Sequence, residues 1–228
     1  TDSRFYDAAS GYKYNHLTLM GFSLTHLSGT GIPDLGDFLF IPGTGEMKLE
    51  PGTHEDPDQG YRSRYSHDKE WASPNYYAVE LADYGVKAEM TSGVRSGMFR
   101  FTYPESDNAF IMIDMNHTLW QSCEWSNLRM INDSTITGYK LVKGWGPERH
   151  VYFTATFSKK LTGLRFVQDK KPVIYNTSRF RSSYEAWGKN LMACISFDTK
   201  AGEEVTVKTA ISAVSTDGAR NNMKELDG

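Results

Sequence analysis

The stretch YAVELADYGVKAEM, residues 77–90, decides the fold class of this 228-residue chain. Apolar residues stand at every second position from Tyr77 to Leu81, which places them on one face of a β-strand. Residues 83–85 are typical of a turn, and the alternation resumes over residues 86–90. The stretch therefore predicts a β-hairpin with one buried face.

Short segments of the same kind follow along the chain. Segment 97–103 would turn Phe99 and Phe101 inward, and the apolar run 109–115 is typical of a central strand that is buried on both faces. A buried strand is also indicated near residues 38–41. Further strands are predicted at residues 134–142, 151–157, 191–197 and 205–213.

Helical spacing is confined to the tail. Residues 218–226 carry apolar side chains at helical intervals, with Thr216 or Asp217 as the expected N-cap. Regular strands without helical repeats or a linker predict an all-β fold. We expect one large antiparallel β-sandwich over residues 1–228, with a short C-terminal helix.

Composition excludes several classes of partner. The net charge of −3 gives no electrostatic attraction for nucleic acid. No apolar run approaches the roughly 20 residues that span a bilayer. Two cysteines do not make a disulfide framework, and whether Cys123 and Cys194 pair stays open, although the apolar run around Cys194 favours a buried thiol. Aromatic residues make up 13% of the chain, which suits a β-rich protein and also a sugar-binding surface.

The segment GFSLTHLSGTG, residues 21–31, combines hydroxyl side chains, one imidazole and glycines. Such a mixture is unsuited to a strand core, because hydroxyls compete for backbone hydrogen bonds and glycine weakens a strand. It suits a loop that brings backbone and small polar groups up against a ligand. A plain connecting turn is the alternative.

A second dense segment is YSHDKEWASPNYY, residues 65–77. His67 stands beside carboxylates and could serve as a general base or a metal ligand. No partner lies at metal-ligand spacing, so no metal site is predicted. The alternative is a solvated charged turn in which Trp71 closes the edge of the sandwich.

Several segments, in order, resemble the N-terminal domain of glycoside hydrolase family 92, whose members are exo-acting α-mannosidases, largely bacterial. The resemblance covers almost the whole chain. It rests on residues 21–37, 65–77, 84–91, 95–104, Gly144-Trp145 with Val151-Tyr152-Phe153, Gly188-Lys189-Asn190, 207–215 and 219–222.

The resemblance implies a two-part enzyme. A β-supersandwich of the galactose-mutarotase type would pack on a C-terminal (α/α)6 barrel, with the active site between them. Hydrolysis of terminal α-mannosides would invert the anomeric carbon and depend on calcium. The general acid, the general base and the calcium ligands would all come from the barrel, which lies outside residues 1–228. The chain by itself would then be inactive, and its parent would be secreted, periplasmic or on the cell surface.

Within this chain, the resemblance implies a substrate-binding wall rather than catalytic groups. Segment 21–31 would face the barrel, and its residues Thr25, His26, Ser28 and Gly29 would contact a mannose-containing glycan. His67 and Trp71 are further candidates, and Trp120 and Trp145 are candidates for stacking on sugar rings. Relatives often carry a polar residue where this chain has Leu24, so a contact made there is lost or replaced.

No carboxylate pair in the chain is assigned as acid and base. Glu89 and Asp114 lie in strand patterns and are expected to be structural, whereas Asp34 and Asp37 are expected to cap turns. The alternative function is a self-sufficient carbohydrate-binding module without a catalytic partner. A sugar epimerase would need an acid and base on the sheet, for which no candidates are found.

Overall fold

The computed structural model describes residues 11–27, 33–174 and 184–227. The strands in this part of the chain are β1 (Thr18–Leu19), β2 (Leu39–Thr44), β3 (Ser63–Arg64), β4 (Glu70–Ser73), β5 (Tyr76–Leu81), β6 (Val86–Ser92), β7 (Ser96–Tyr103), β8 (Ser106–Asp114), β9 (Ser122–Asn132), β10 (Thr135–Lys143), β11 (Arg149–Phe157), β12 (Gly163–Gln168), β13 (Lys171–Pro172), β14 (Glu185–Gly188), β15 (Leu191–Thr199) and β16 (Glu203–Ser212). Helix α1 spans Thr216–Asn222, and short 3-10 helices span Pro57–Gln59, His67–Lys69 and Met223–Leu226.

Two large antiparallel sheets make up most of the described part of the chain. The order of the nine-stranded sheet is β14-β9-β10-β11-β16-β7-β6-β5-β4, and that of the five-stranded sheet is β13-β12-β15-β8-β2. Strands β1 and β3 form a small ladder of their own. The predicted all-β antiparallel sandwich is confirmed.

The hairpin that decided the fold class has the predicted register. Strands β5 and β6 pair from Tyr77 opposite Met90 to Leu81 opposite Val86. Gly85 adopts a φ of 63° in the connecting turn, a conformation that glycine reaches at little cost. The inward side chains of the hairpin join those of the neighbouring strand, Phe99 and Phe101, in the main hydrophobic core between the sheets.

Strand β8 explains why residues 109–115 are continuously apolar. It lies between β15 and β2 and is buried on both faces. One face meets the core between the sheets, and the other packs in a second cluster with Met20 and Tyr61. Cys194 of β15 belongs to this second cluster, and it and Cys123 are buried free thiols whose pKa values are raised by burial.

The C-terminal helix was predicted, but its N-cap was placed wrongly. Ser215, not Thr216 or Asp217, caps α1, and its side-chain oxygen accepts a hydrogen bond from the Gly218 amide at 2.9 Å. A serine oxygen in this position satisfies an amide that has no partner in the first turn. The helix packs on the outer face of the nine-stranded sheet, where Ala219 is completely buried.

Antiparallel pairing brings alternate connections to the same end of the sandwich. We call one end the upper rim and define it by residues 21–27, 33–38, 73–76, 92–96, 115–122, 143–149 and 188–191. Residues 22–27 and 35–40 form a two-stranded ladder there, because Phe22 pairs with Phe40 and His26 with Leu35. This ladder extends β2 beyond its first residue and places His26 on the upper rim.

Gly138 of β10 lies against the ring of Phe153 on β11. A Cβ at residue 138 would overlap that ring and come within 2.8 Å of the Asn127 carbonyl oxygen. We therefore expect Gly138→Ala to lower the free energy of unfolding by about 1–3 kcal/mol, measured as a shift of the urea midpoint at constant slope. Gly146→Ala is the matched control, because no atom lies within 4 Å of the position that its methyl group would take; its effect should stay within about 0.5 kcal/mol. Equal shifts for both variants would contradict this account.

Candidate functional site

The upper rim collects segments that are far apart in the sequence. The turn after β4 contains Asn75, the turn before β7 contains Arg95, and the turn before β11 contains Trp145. His26 lies on the ladder beside them, and residues 188–191 connect β14 to β15 at the same end. Most of these segments carry the sequence resemblance described above, so the fold brings those motifs to one surface.

His26 is exposed at this rim. Its ring nitrogen Nε2 lies 3.1 Å from the Ser23 hydroxyl, within hydrogen-bond distance. The backbone around it is fixed by the ladder, in which the Gly36 amide donates to the Thr25 carbonyl at 2.9 Å and the Leu24 amide donates to Asp37 at 2.9 Å. The imidazole is thus presented to solvent from an ordered backbone. The predicted contact residues Ser28 and Gly29 lie outside the described residues.

A cavity of about 570 Å³ opens between this ladder and the ends of β4, β5, β6, β7 and β16. Its lining mixes hydrogen-bonding groups with apolar rings and chains, as small-molecule sites do. The side chains that characterise it are those of Ser23, Leu24, His26, Tyr76, Tyr77, Met90, Ser92, Arg95, Phe99 and Thr209. Among the described residues that line it, none is an aspartate or a glutamate.

Three carboxylates lie behind the lining and are already bound. The Tyr76 hydroxyl donates to Glu89 at 2.7 Å, and the Tyr77 hydroxyl donates to Glu70 at 2.6 Å. Bonds from Arg100 lower the pKa of Glu89 to about 2, which keeps this carboxylate ionised at neutral pH. These contacts anchor the tyrosine side chains that form the wall.

The third carboxylate, Glu225, accepts hydrogen bonds from the backbone amide and the side chain of Arg95 at 3.0 and 2.9 Å. It thereby fastens the turn between β6 and β7 to the segment that follows α1. The expectation that Glu89 is structural agrees with its contacts, as does that for Asp114, which accepts from the Asn116 amide at 2.8 Å.

The sequence had suggested that both Asp34 and Asp37 cap turns. Asp37 does not. The Asp34 carboxylate accepts from the amide of the next residue, Leu35, at 2.6 Å. Asp37 is completely buried and forms an ion cluster with Lys140 and Arg149, which lie on neighbouring strands. The cations come from residues more than 100 positions away, so no local pattern predicts this cluster.

The distances within the ion cluster are short. Arg149 donates to the two carboxylate oxygens of Asp37 at 2.7 and 3.2 Å, and the Lys140 ammonium lies 3.5 Å from Asp37 Oδ1. Burial alone would raise the pKa of the Asp37 carboxyl, but the charges of Lys140 and Arg149 outweigh it and hold that pKa below its usual range. Thr25 joins the cluster, because its hydroxyl donates a hydrogen bond to Asp37 at 2.7 Å. The hydroxyl that was predicted to contact sugar therefore bonds a group inside the protein.

His67 lies behind the cavity wall rather than in it. Its Nδ1 bonds Glu70, the same carboxylate that holds Tyr77, and its Nε2 lies 2.6 Å from the Tyr14 carbonyl. The ring stacks on Tyr14 with centroids 4.0 Å apart. The hydrogen bond to Glu70 raises the pKa of His67 above its usual value, although desolvation opposes it. His67 is therefore linked to the cavity lining indirectly, since it bonds Glu70 and Glu70 bonds Tyr77.

The predicted tryptophans are all exposed but occupy different surfaces. Trp71 lies on the edge strand β4, where the Lys87 ammonium is 5.8 Å from its ring centroid, and it does not line the cavity. Trp120 and Trp145 lie on the upper rim and are 62% and 57% exposed. Trp125 and Trp187, which the sequence pattern did not single out, are also exposed, on neighbouring strands β9 and β14.

Sequence reasoning also missed Tyr76, Tyr77 and Arg95 as cavity residues. The available signal was their position in segments 65–77 and 95–104, both of which carry the family resemblance. Within the described ranges, no three His, Cys, Asp or Glu side chains come together as a metal ion would require. None of the helices among these residues is long and apolar enough to cross a bilayer.

Comparison with known families decides what kind of chain this is. Residues 1–212 match the model of the glycosyl hydrolase family 92 N-terminal domain. The chain belongs to this family. No relative of it is found among curated proteins.

Solved structures of family 92 share the fold. The inverting mannosidase of family GH92 from Bacteroides thetaiotaomicron VPI-5482 superposes with a TM-score of 0.74 at 21% identity, covering 96% of this chain and 27% of that one. The family GH92 glycosyl hydrolase ccman5 gives a TM-score of 0.76 at 22% identity, covering 95% of this chain and 29% of that one. This family 92 chain therefore spans less than a third of either relative.

The contact between His67 and Glu70 gives the stability of the family 92 domain a predicted pH dependence. Because the folded-state pKa of His67 is raised, its stabilisation is present below the unfolded value of about 6.5 and is lost as the pH rises through the folded value. The free energy of unfolding of wild type relative to His67→Gln should thus be larger at about pH 5.5 than at about pH 8.5. Urea titrations at both pH values measure it.

Glu70→Gln is the companion variant, since it removes the carboxylate from the same pair. It should flatten the same pH dependence. A His67→Gln protein that keeps the full wild-type dependence would show that another group is responsible.

Proposed function

We propose that this chain forms one wall of the mannose-binding cleft of a family 92 α-mannosidase and that the groups that break the glycosidic bond lie on a separate C-terminal domain. The observation that carries the proposal is the upper rim. There, family-resembling segments converge on a cavity that presents His26, Tyr76 and Arg95 but, among its described lining, no carboxylate.

The chemistry of the reaction supports placing sugar binding in this chain and the acid and base in a second domain. Inverting hydrolysis requires a general acid and a general base about 6.5–9.5 Å apart, with a water between them. The carboxylates that bond residues of the cavity lining, Glu70, Glu89 and Glu225, are thereby occupied by Tyr77, Tyr76 and Arg95. The proposed part of this chain is therefore to bind and orient the terminal sugar, while the second domain supplies the acid and the base.

Calcium belongs to the same proposal. Calcium takes six to eight oxygen ligands, and among the described residues no three Asp, Glu, His or Cys side chains come together. We assign calcium to the C-terminal domain of the parent protein. Action on mannose-containing glycans outside the cytoplasm, by a secreted, periplasmic or cell-surface enzyme, is likewise proposed.

A second candidate function is a carbohydrate-binding module that acts without a catalytic partner. The observation that favours it is the exposure of Trp120, Trp125, Trp145 and Trp187. Exposed tryptophan rings can stack on the apolar faces of sugars and bury a large area for each contact. The two functions differ in what the 228-residue chain does alone.

Paired assays distinguish the two functions. We expect no hydrolysis of an aryl α-mannoside by the 228-residue chain in the presence of calcium, but turnover by the full-length parent. Calorimetric titration of the chain with mannobiose should detect no binding tighter than about 1 mM, because half of the cleft lacks its opposing wall.

Clear turnover by the chain alone would overturn the assignment of the acid and base to another domain. The binding module would be favoured instead if the chain bound mannobiose with a dissociation constant well below about 1 mM and the parent showed no hydrolase activity.

His26 is the residue with which to test the cleft. In the full-length parent, His26→Ala should raise KM for an aryl α-mannoside about 10-fold, the value of one hydrogen bond to a sugar hydroxyl. The exposed position of His26 predicts an unchanged unfolding midpoint. His150→Ala is the matched control, because His150 is exposed but lies outside the cavity lining. Equal KM values for all three proteins would remove His26 from the cleft.

A further inference from the structure

The ion cluster of Asp37, Lys140 and Arg149 lies next to the cavity without lining it. We propose that this cluster is a positioning device, which sets the place of Thr25, and through it His26, on the upper rim. The proposal rests on the proposed function for its link to sugar binding. The claim that the cluster positions Thr25 and His26 depends only on the contacts.

The cluster joins the two sheets at the rim. Asp37 belongs to the ladder that leads into β2 of the five-stranded sheet, whereas Lys140 and Arg149 lie on β10 and β11 of the nine-stranded sheet. The Lys140 side chain is completely buried and also donates to the His117 carbonyl, which fixes the ammonium from a third segment. Asp37 is thereby held by groups from outside its own sheet.

Thr25 transmits the position of Asp37 to the other side of the ladder. Its hydroxyl donates to Asp37 Oδ2 at 2.7 Å and accepts from the Asp37 amide at 2.9 Å. The same residue accepts from Gly36 through its backbone carbonyl at 2.9 Å. Three hydrogen bonds therefore fasten the residue immediately before His26, whose ring is presented to the cavity.

The charges determine which substitution tests the device. Removing Asp37 would leave two cations without their carboxylate in a buried site, which is expected to prevent folding. Removing Arg149 leaves Asp37 still paired with Lys140, but without a two-point hydrogen bond that fixes the orientation of the carboxylate. Arg149 is 27% exposed, so a glutamine there can be hydrated. Arg149→Gln should loosen the ladder and leave the sandwich intact.

The first readout is hydrogen exchange in the 228-residue chain. Arg149→Gln should speed exchange of the Leu24 and Gly36 amides, which bond across the ladder, by about 10-fold while strand amides keep their rates. Arg64→Gln is the matched control, since Arg64 makes two hydrogen bonds to Asp58 at the opposite end of the sandwich. That variant should leave both amides unchanged.

The second readout is the kinetics of the full-length parent with an aryl α-mannoside. Arg149→Gln should raise KM by about 3–10-fold with kcat within about twofold of wild type, the pattern of lost substrate binding. Arg149→Lys keeps the charge but not the planar pair of donors, so its KM should lie between those of wild type and Arg149→Gln. Thr25→Val removes the hydroxyl while keeping all three charges, and should match Arg149→Gln.

The double variant Thr25→Val/Arg149→Gln tests whether both residues act through Asp37. Its KM should rise no further than that of the more affected single variant, since coupled residues are not additive. If Arg149→Gln does not fold, Thr25→Val decides both readouts.

The outcomes separate this inference from the proposed function. Unchanged exchange at Leu24 and Gly36 in Arg149→Gln overturns the positioning device whatever the enzyme does. Faster exchange with unchanged KM overturns its link to the cleft. A wild-type parent without turnover overturns the proposed function, and the exchange rates still judge the device.

Discussion

The rest of the structure depends on the burial of two antiparallel sheets against each other. Rings from both sheets meet in the core, including Phe40 with Phe99 at 5.2 Å and Phe38 with Phe153 at 4.5 Å between centroids. Aromatic pairs of this kind fix the relative placement of the sheets as well as stabilise them. Because the pairing is antiparallel, the connections of both sheets gather at two ends, and one of these ends brings segments that are distant in the sequence around a cavity.

The ion cluster is the main departure from an apolar interior. Burying charge is costly, and a buried pair is weak support for stability when compared with well-packed apolar groups. Here the charges of Asp37, Lys140 and Arg149 lie between the sheets just below the rim. Hydrogen bonds to a carboxylate depend on direction, so this contact fixes the position and orientation of the ladder relative to the core. An apolar contact of similar size would fix that orientation less strictly.

Sequence alone predicted strands in which one face or both faces are buried. The hairpin over residues 77–90 and the doubly buried run 109–115 were found because alternation and continuous apolarity reflect burial directly. Strands β9 and β14 were missed because polar residues and tryptophans face solvent on them and no clean alternation remains. The same limit applied at the candidate site: local composition was enough to nominate His26, whereas the partners of Asp37 and His67 depend on contacts across the fold.

The edges of both sheets end in strands that offer little to another chain. In the nine-stranded sheet the outermost strands, β4 and β14, are four residues each, and Pro74 follows β4 directly. In the five-stranded sheet both outermost strands contain a proline, Pro42 in β2 and Pro172 in β13. Proline has no amide hydrogen to donate and short edges present few. The described part of the chain is thus protected against edge-to-edge polymerisation, a hazard that large open sheets carry.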